Sequence, residues 1–221
     1  MFKVNEIFET IQGEGFFTGV PSIFIRLQGC PVGCAWCDTK QTWDVLEEKE
    51  TDFGTIIVKS GDDEYWCQSS AKDLVDYCIA HYSAKHVVIT GGEPCQYDLL
   101  PLTSELEAKG YRCQIETSGT FEVQATAETW VTVSPKIGMK GKLPIAASAM
   151  SRANEIKHPV GKESDIDELK ALLAAHPLSP ATEVLLQPIS QKPRATKLCI
   201  DTCIENNWRL SVQTHKYLNI A

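Results

Sequence analysis

Cys30, Cys34 and Cys37 are the residues of this chain best placed to do chemistry: three thiols within eight residues. Their spacing is C-x3-C-x2-C, and glycine and proline fill the stretch from Gly29 to Thr39, so it reads as a loop. Thiolates on one tight loop can converge on a common point. Such soft ligands suit an iron–sulfur cluster, zinc or Cu(I). No fourth cysteine stands at ligand spacing. A 4Fe–4S cluster held here would have one iron without a protein ligand.

Composition narrows what that loop belongs to. The chain has 221 residues, a net charge of −8 and nine cysteines. The acidic balance argues against a protein that grips a phosphate backbone directly, because such binding needs basic patches. Met1 to Glu6 contains no apolar signal region, and no apolar run approaches a membrane span. Cysteines without a secretory signal point to a cytoplasmic protein with metal or redox chemistry. The six other cysteines (Cys67, Cys78, Cys95, Cys113, Cys199, Cys203) are scattered and read as small buried hydrophobes.

The elements that must position the loop alternate. Residues 22–27, 86–90, 111–116, 130–133, 154–157, 183–186 and 209–212 read as short β-branched strands. Leu74, Val75, Cys78, Ile79 and Tyr82 recur at helical spacing behind a Ser69 or Ser70 cap. Further helices are expected over 98–109, closed by Gly110, and over 145–153, 165–175 and 194–206. Alternation implies right-handed βαβ units and a mainly parallel sheet. A closed (β/α)8 barrel takes about 250 residues. This α/β chain is therefore expected to form a partial, open barrel, as one domain over residues 1–221. Residues 45–69, polar and acidic, look like an excursion from the core.

The unusual segments follow the strand ends, where parallel α/β folds bind ligands. They are the cysteine loop, Thr90-Gly91-Gly92-Glu93-Pro94, Glu116-Thr117-Ser118-Gly119-Thr120, Ser134-Pro135-Lys136, His158-Pro159, Gln187-Pro188-Ile189-Ser190 and Gln213-Thr214-His215-Lys216. The paired glycines would let backbone approach a ligand closely. Glu93 could accept from an ammonium, and Ser134 with Lys136 could hold a carboxylate, a ribose or a phosphate. Arg26, alternating with Ile25 and Leu27, needs an anionic partner: a substrate carboxylate or a structural carboxylate. His215 by itself reads as a hydrogen-bonded structural histidine, but its place in the polar cluster after the last strand makes a role in the site an equal reading.

Cys30-x3-Cys34-x2-Cys37 with Trp36 before the third cysteine resembles the signature of the radical S-adenosylmethionine (SAM) superfamily. Gly91-Gly92-Glu93-Pro94 resembles its methionine-binding motif. Gln12-Gly13-Glu14-Gly15, Cys37-Asp38-Thr39, Glu116 to Thr120, Ser134-Pro135-Lys136 and Gln213 to Lys216 further resemble the 7-carboxy-7-deazaguanine synthase family, in its enterobacterial form, over essentially the whole chain. That family makes the 7-deazapurine core on the route to queuosine.

The resemblance implies an incomplete (β/α)6-type barrel working as a homodimer. It implies a 4Fe–4S cluster on Cys30, Cys34 and Cys37, with SAM on the open iron. Trp36, Cys37, Gly92, Glu93, Ser118, Ser134, Pro135, Lys136 and the Gln187, Pro188, Ile189, Ser190 segment would contact SAM. Gln12, Gly13, Glu14, Arg26, Thr90 and His215 would contact 6-carboxy-5,6,7,8-tetrahydropterin, and Thr39 would ligate Mg2+. The implied reaction is hydrogen abstraction at the pterin, then ring contraction with loss of ammonia. An electron donor such as a flavodoxin is implied, with no nucleic acid and no membrane. Two alternatives remain open at this stage: an activase of glycyl-radical enzymes, which would need a large protein partner, and a non-catalytic zinc module.

Overall fold

The computed structural model describes residues 1–59 and 61–220. Its frame is one sheet of nine strands: β1 (Phe2–Ile11), β2 (Pro21–Leu27), β3 (Cys67–Ser69), β4 (His86–Gly91), β5 (Arg112–Thr117), β6 (Trp130–Val133), β7 (Glu155–Val160), β8 (Glu183–Pro188) and β9 (Arg209–Leu210). The order is β3-β1-β2-β4-β5-β6-β7-β8-β9. From β2 through β9 every pairing is parallel. β1 and β3 extend the β2 edge in antiparallel register. The two edge strands do not meet, so the barrel stays open, as the length predicts.

The helices are α1 (Phe53–Ile57), α2 (Ala71–His81), α3 (Leu100–Ala108), α4 (Ala147–Arg152), α5 (Glu163–Ala175), α6 (Pro193–Asn206) and α7 (Thr214–Leu218). α2 begins where its cap predicts. Ser70 accepts from the Asp73 backbone N–H while the Asp73 carboxylate receives the Ser70 N–H. Its buried stripe of Leu74, Val75 and Cys78 packs with α3 residues Leu102 and Leu106 against Ile23, Ile25, Val87 and Ile89 of the sheet. A second cluster, with Val131, Val133, Ile156 and Leu186 on the strands, takes Ile166 and Leu169 of α5 and Cys199 of α6. The six cysteines outside the loop are all buried, as expected of small hydrophobes.

Several expectations shift. β1 has no counterpart in the sequence reading, although it is the longest strand, because Asn5, Glu6 and Glu9 interrupt its apolar alternation. Asn5 is fully buried instead, bonded to Gln28, and the Lys59 ammonium caps the backbone around it. The 45–69 segment is anchored more firmly than an excursion. Ile56, Trp66 and Cys67 are buried, Trp66 donates to the Leu46 carbonyl, and β3 pairs with β1. His158-Pro159 and Gln187-Pro188 lie inside β7 and β8, not after them. Proline is tolerated at 159 because β6 pairs with β7 only as far as Ile156, which leaves that side of Pro159 without a ladder to break.

Ile89 is fully buried in β4 between β2 and β5. Ile89→Ala should cost about 2–5 kcal/mol, read as a fall in the urea midpoint at unchanged slope.

Candidate active site

The strand ends open into one pocket of about 1140 Å3, counted with its open mouth. Its wall takes in Cys30, Cys34, Trp36, Cys37 and Thr39 of the cysteine loop. From the strands come Arg26, Thr90, Gly92, Glu93, Glu116, Ser118, Ser134, Lys136, Lys157 and the run Gln187 to Ser190, with Glu14, Gln213 and Lys216 from the chain termini. The structure thus gathers most of the residues picked from the sequence.

The cysteine loop is tied down by backbone. Gly29 N–H donates to Thr42 O (2.7 Å), Cys30 N–H to Trp43 O (2.9 Å), Gly92 N–H to Leu27 O (2.9 Å) and Glu93 N–H to Gly29 O (2.8 Å). Two glycines make this approach possible. A Cβ on Gly92 would sit 2.1 Å from Gly29 O, and one on Gly91, whose φ is +142°, 2.2 Å from Leu27 O. None of the three loop cysteines is in a disulfide. The Cys37 Sγ accepts from Trp43 Nε1 (3.3 Å) and from the Thr39 backbone N–H (3.4 Å). Hydrogen bonds to the sulfurs of a bound iron–sulfur centre tune its potential. Burial pushes the Cys30 thiol up to about 11, with the Glu93 charge adding to it. Loading a metal centre here must therefore displace protons. Among the described residues no three Cys, His, Asp or Glu side chains converge closely enough to hold one metal ion. Three free thiols lining one pocket are a donor set that would suit an iron–sulfur cluster.

Glu93 behaves differently from its sequence reading. Its carboxylate is buried and takes bonds from Thr117 Oγ1 (2.7 Å), Cys95 N–H (2.9 Å), Ser118 N–H (2.8 Å) and the Ser118 hydroxyl. The side chain is a clip joining the β4 and β5 ends. It has little capacity left for a ligand ammonium, so the Gly91–Gly92 segment offers a ligand mainly backbone. Thr39 Oγ1 lies 3.4 Å from Gly91 O at the same place. Arg26 has the structural carboxylate as its partner: its Nε bonds Glu6 and its guanidinium lies over the Phe8 ring, while the residue also lines the pocket.

Across the pocket stands a charged clamp that the sequence reading names only in part. The Lys157 ammonium bridges Glu14 Oε2 (2.8 Å) and Glu116 Oε2 (2.9 Å). Burial alone would strip its proton, but Glu116 and Glu14 hold it well above the ordinary lysine range. Burial also raises both carboxyls, and their surroundings then separate them. Lys157, with the Gln213 amide donating to Oε1 at 2.7 Å, brings Glu14 down to about 2. At Glu116 Lys157 opposes burial less successfully, because Glu155 and Glu14 add repulsion, and the carboxyl is pushed up to about 7. Lys136 faces the same space, donating to Ser134 Oγ (2.7 Å), and burial lowers its pKa.

Four expected residues stand behind the wall. Gln12 is buried and accepts from the Glu14 N–H (3.1 Å). Gly13 abuts the His215 ring and accepts from Thr214 N–H (2.9 Å), which locks the C-terminal segment onto the N-terminal one. His215 lowers Glu14 from that position. Pro135 lines a neighbouring depression that shares Trp36 and Ile189 with the main pocket. Conversely, Lys157 belongs to the site without having been singled out, and Glu116, noted only as part of a strand-end segment, proves to be its partner. The signal for Lys157 was a lysine at an inward position of a core strand, which requires carboxylate partners.

Comparison with known proteins agrees with this geometry. A family model described as a 4Fe-4S single cluster domain matches residues 11–134. The chain is similar to the 7-carboxy-7-deazaguanine synthase of Escherichia coli K12, 59% identical over 221 residues and covering 100% of this chain and 99% of that protein. It is similar to the synthase of the same name from Buchnera aphidicola, 50% identical over 220 residues with 99% of each covered. The crystal structure of QueE from Escherichia coli matches with a TM-score of 0.93 at 57% identity, over 96% of this chain and 93% of that one.

The split between the two carboxyls is testable in the free protein. A carboxyl held at about 7 keeps its proton in the fold where the unfolded chain, at the ordinary 4.5, has lost it. Stability from Glu116 is therefore present below pH 4.5 and is lost as pH rises through 7, at up to about 1.4 kcal/mol per pH unit. Glu116→Gln should flatten this decline, so its stability relative to the parent should grow between about pH 5 and pH 7. Parallel denaturation profiles for the two proteins would sink the assignment.

Proposed function

The chain belongs to the 7-carboxy-7-deazaguanine synthase family, and from that membership we propose how its own residues carry the reaction from 6-carboxy-5,6,7,8-tetrahydropterin to 7-carboxy-7-deazaguanine. The observation that carries the reading is one pocket with three free thiols at one end and the Glu14–Lys157–Glu116 clamp at the other.

Cys30, Cys34 and Cys37 would hold the 4Fe–4S cluster, and SAM would lie along Trp36, Gly92, Ser118, Ser134, Lys136 and the Gln187 to Ser190 run. When bound, these two groups supply one-electron cleavage chemistry that generates a hydrogen-abstracting carbon radical. The chain's own work is to bind, orient and exclude water. Lys136 and Ser134 offer a cation and a hydroxyl to the polar groups of SAM. Arg26, with its Nε already on Glu6, presents the rest of its guanidinium toward a substrate carboxylate. Glu14 stays ionised and can accept from the pterin's ring N–H and amino groups. Glu116 can gain or lose a proton at its carboxyl near neutral pH, which suits a reaction that expels ammonia. Gln12, Gly13 and His215 support Glu14 from behind.

Mg2+ belongs to the same reading. Thr39 Oγ1 is a hard oxygen at the pocket wall, and Mg2+ commonly takes few protein ligands beside water and substrate oxygens. The reading also carries a homodimer in the cytoplasm with a one-electron donor such as a flavodoxin. Among the described residues no helix is long and apolar enough to cross a membrane. The enclosed charged clamp suits a small polar heterocycle better than the large protein partner an activase requires.

The test is anaerobic loading with iron and sulfide, then incubation with SAM, dithionite, Mg2+ and the tetrahydropterin. Product should form at the parent's rate only with all three cysteines. Cys34→Ala should lose cluster absorbance and turnover together, and full turnover in that variant would overturn the cluster assignment. Thr39→Val should lose about tenfold or more of the Mg2+-dependent rate with its cluster intact. A Thr39→Val rate equal to the parent's would remove Thr39 from the metal site.

A further inference from the structure

Strand β5 alternates. Cys113 and Ile115 join the apolar cluster under the helices, while Gln114 and Glu116 face the inside of the barrel. Glu116 lines the pocket; Gln114, beneath it, is fully buried where a core strand ordinarily carries an apolar residue. A buried amide is tolerated only when its bonds are made. Here all of them are. One N–H donates to Glu116 Oε1 (3.1 Å) and the other to Thr132 Oγ1 (3.1 Å). The amide oxygen accepts from Gln12 Nε2 (3.4 Å) and from His86 Nε2 (2.8 Å). Two donors and two lone pairs leave nothing to spare. The Thr132 hydroxyl donates onward to Glu155 Oε2 (3.2 Å), and burial holds the His86 pKa down, so the direction of each bond is set.

Both carboxyls of the clamp lead back to this amide. Glu116 is bonded to it directly. Glu14 is reached through Gln12, whose side-chain oxygen accepts the Glu14 N–H (3.1 Å). On the pocket side Lys157 joins the same two carboxyls, at 2.8 and 2.9 Å. Gln114, Gln12, Glu14, Lys157 and Glu116 therefore form a closed ring of hydrogen bonds, in which each member restrains the others. A methionine would fill the place of Gln114 about as well by volume. It would not close the ring.

We propose that Gln114 is a positioning residue for the reaction: its amide closes the ring that sets Glu14 and Glu116 at a fixed separation, and so fixes the register of the pterin between them. The inference rests on the reading above, in which Glu14 binds the pterin and Glu116 exchanges a proton. Gln114 does not line the pocket and acts through these two residues. Its N–H also favours the ionised form of Glu116, against burial and the repulsion of Glu155 and Glu14. The titratable groups facing Glu116 are Lys157 and Glu155 of β7, Glu14 after β1 and Lys136 after β6. At the β4 end Glu93 is turned to Thr117 and Ser118, and Arg26 of β2 is held by Glu6. A change at Gln114 leaves all of these side chains in place.

The test uses Gln114→Met, which keeps the length and removes the amide, and Gln114→Glu, which keeps the shape and an acceptor oxygen but removes the donors. The cluster-loaded proteins are assayed with SAM, dithionite, Mg2+ and the tetrahydropterin from pH 5 to pH 9. Glu116→Gln is the reference: the limb of the kcat profile that it abolishes is the one Glu116 sets. In Gln114→Met that limb should move up by about one pH unit, because the carboxylate has lost a donor. The KM for the tetrahydropterin should rise about threefold or more while that for SAM stays unchanged. Without cluster or substrate, the stability difference between Gln114→Met and Gln114→Met/Glu116→Gln should change with pH over a window displaced upward by the same amount. Where Gln114→Met does not fold, Gln114→Glu is read for the same shifts. An unmoved limb or an unmoved pterin KM in a folded variant, an equal rise in both KM values, or loss of the fold in both variants would overturn the proposal. Failure of the reading it rests on looks different: Glu116→Gln then leaves the parent's pH profile as it was.

Discussion

The arrangement depends on one close approach of backbone to backbone. Gly91 and Gly92 at the end of β4 lie so near Leu27 and Gly29 that neither position leaves room for a side chain. That contact extends the β2–β4 pairing beyond the sheet through Gly92 N–H to Leu27 O and Glu93 N–H to Gly29 O. The cysteine loop is thereby continued from the sheet and held before any metal arrives. Glu93 makes the next link by gathering donors from Thr117, Ser118 and Cys95. Three strand ends become one rigid rim, and rigid placement is what an open-coordinate metal centre and its ligand require.

A second constraint lies on the far wall. Two half-buried carboxyls share one lysine there, and removing Lys157 would leave Glu14 as an uncompensated charge. The lysine's proximity to each is nearly equal, yet the carboxyls diverge. Glu14 has a further amide donor in Gln213, whereas Glu116 faces the repulsion of Glu155. Acid and base character is thus distributed by neighbours beyond the ion pair itself. The C-terminal residues belong to this balance. Thr214 bonds Gly13 and Gln213 bonds Glu14, so the two ends of the chain close one side of the pocket together.

The parallel part of the sheet was legible because short β-branched runs alternated with helical spacing, and the strand-end segments fell where that topology puts a site. β1 was not, since its register is set by antiparallel pairing with β2 and by burial of Asn5 with Lys59, neither of which periodicity records. The 45–69 segment read as solvent-facing from its charges, but Ile56 and Trp66 reach the core between them. Most residues named for the site do share one pocket. Glu93 was read as a ligand acceptor, and three of the donors that occupy it come from Thr117 and Ser118 at the end of β5, more than twenty residues away in sequence. Lys157 stayed unnoticed because it sits mid-strand, where a sequence shows the residue type and not the carboxylates across the barrel.

The cysteine loop must satisfy opposite demands on its two sides. Toward the pocket, water has to be excluded, since a reactive radical would be quenched by solvent and since charges act most strongly in a dry site. Toward solvent, the same loop has to stay thin enough for an electron to enter. A closed lid or a thick helical layer over the loop would serve the first demand and defeat the second. Glycine and proline in a short loop pinned at both ends by β-type hydrogen bonds meet both at once. Val32 and Cys34 are buried, while Pro31 before them and Ala35 after them are exposed. The turn carrying Lys140 to Lys142 braces that outer surface through Gly141, whose lack of a side chain lets it lie flat on Pro31. The position of the cations is therefore a consequence of how the loop is supported.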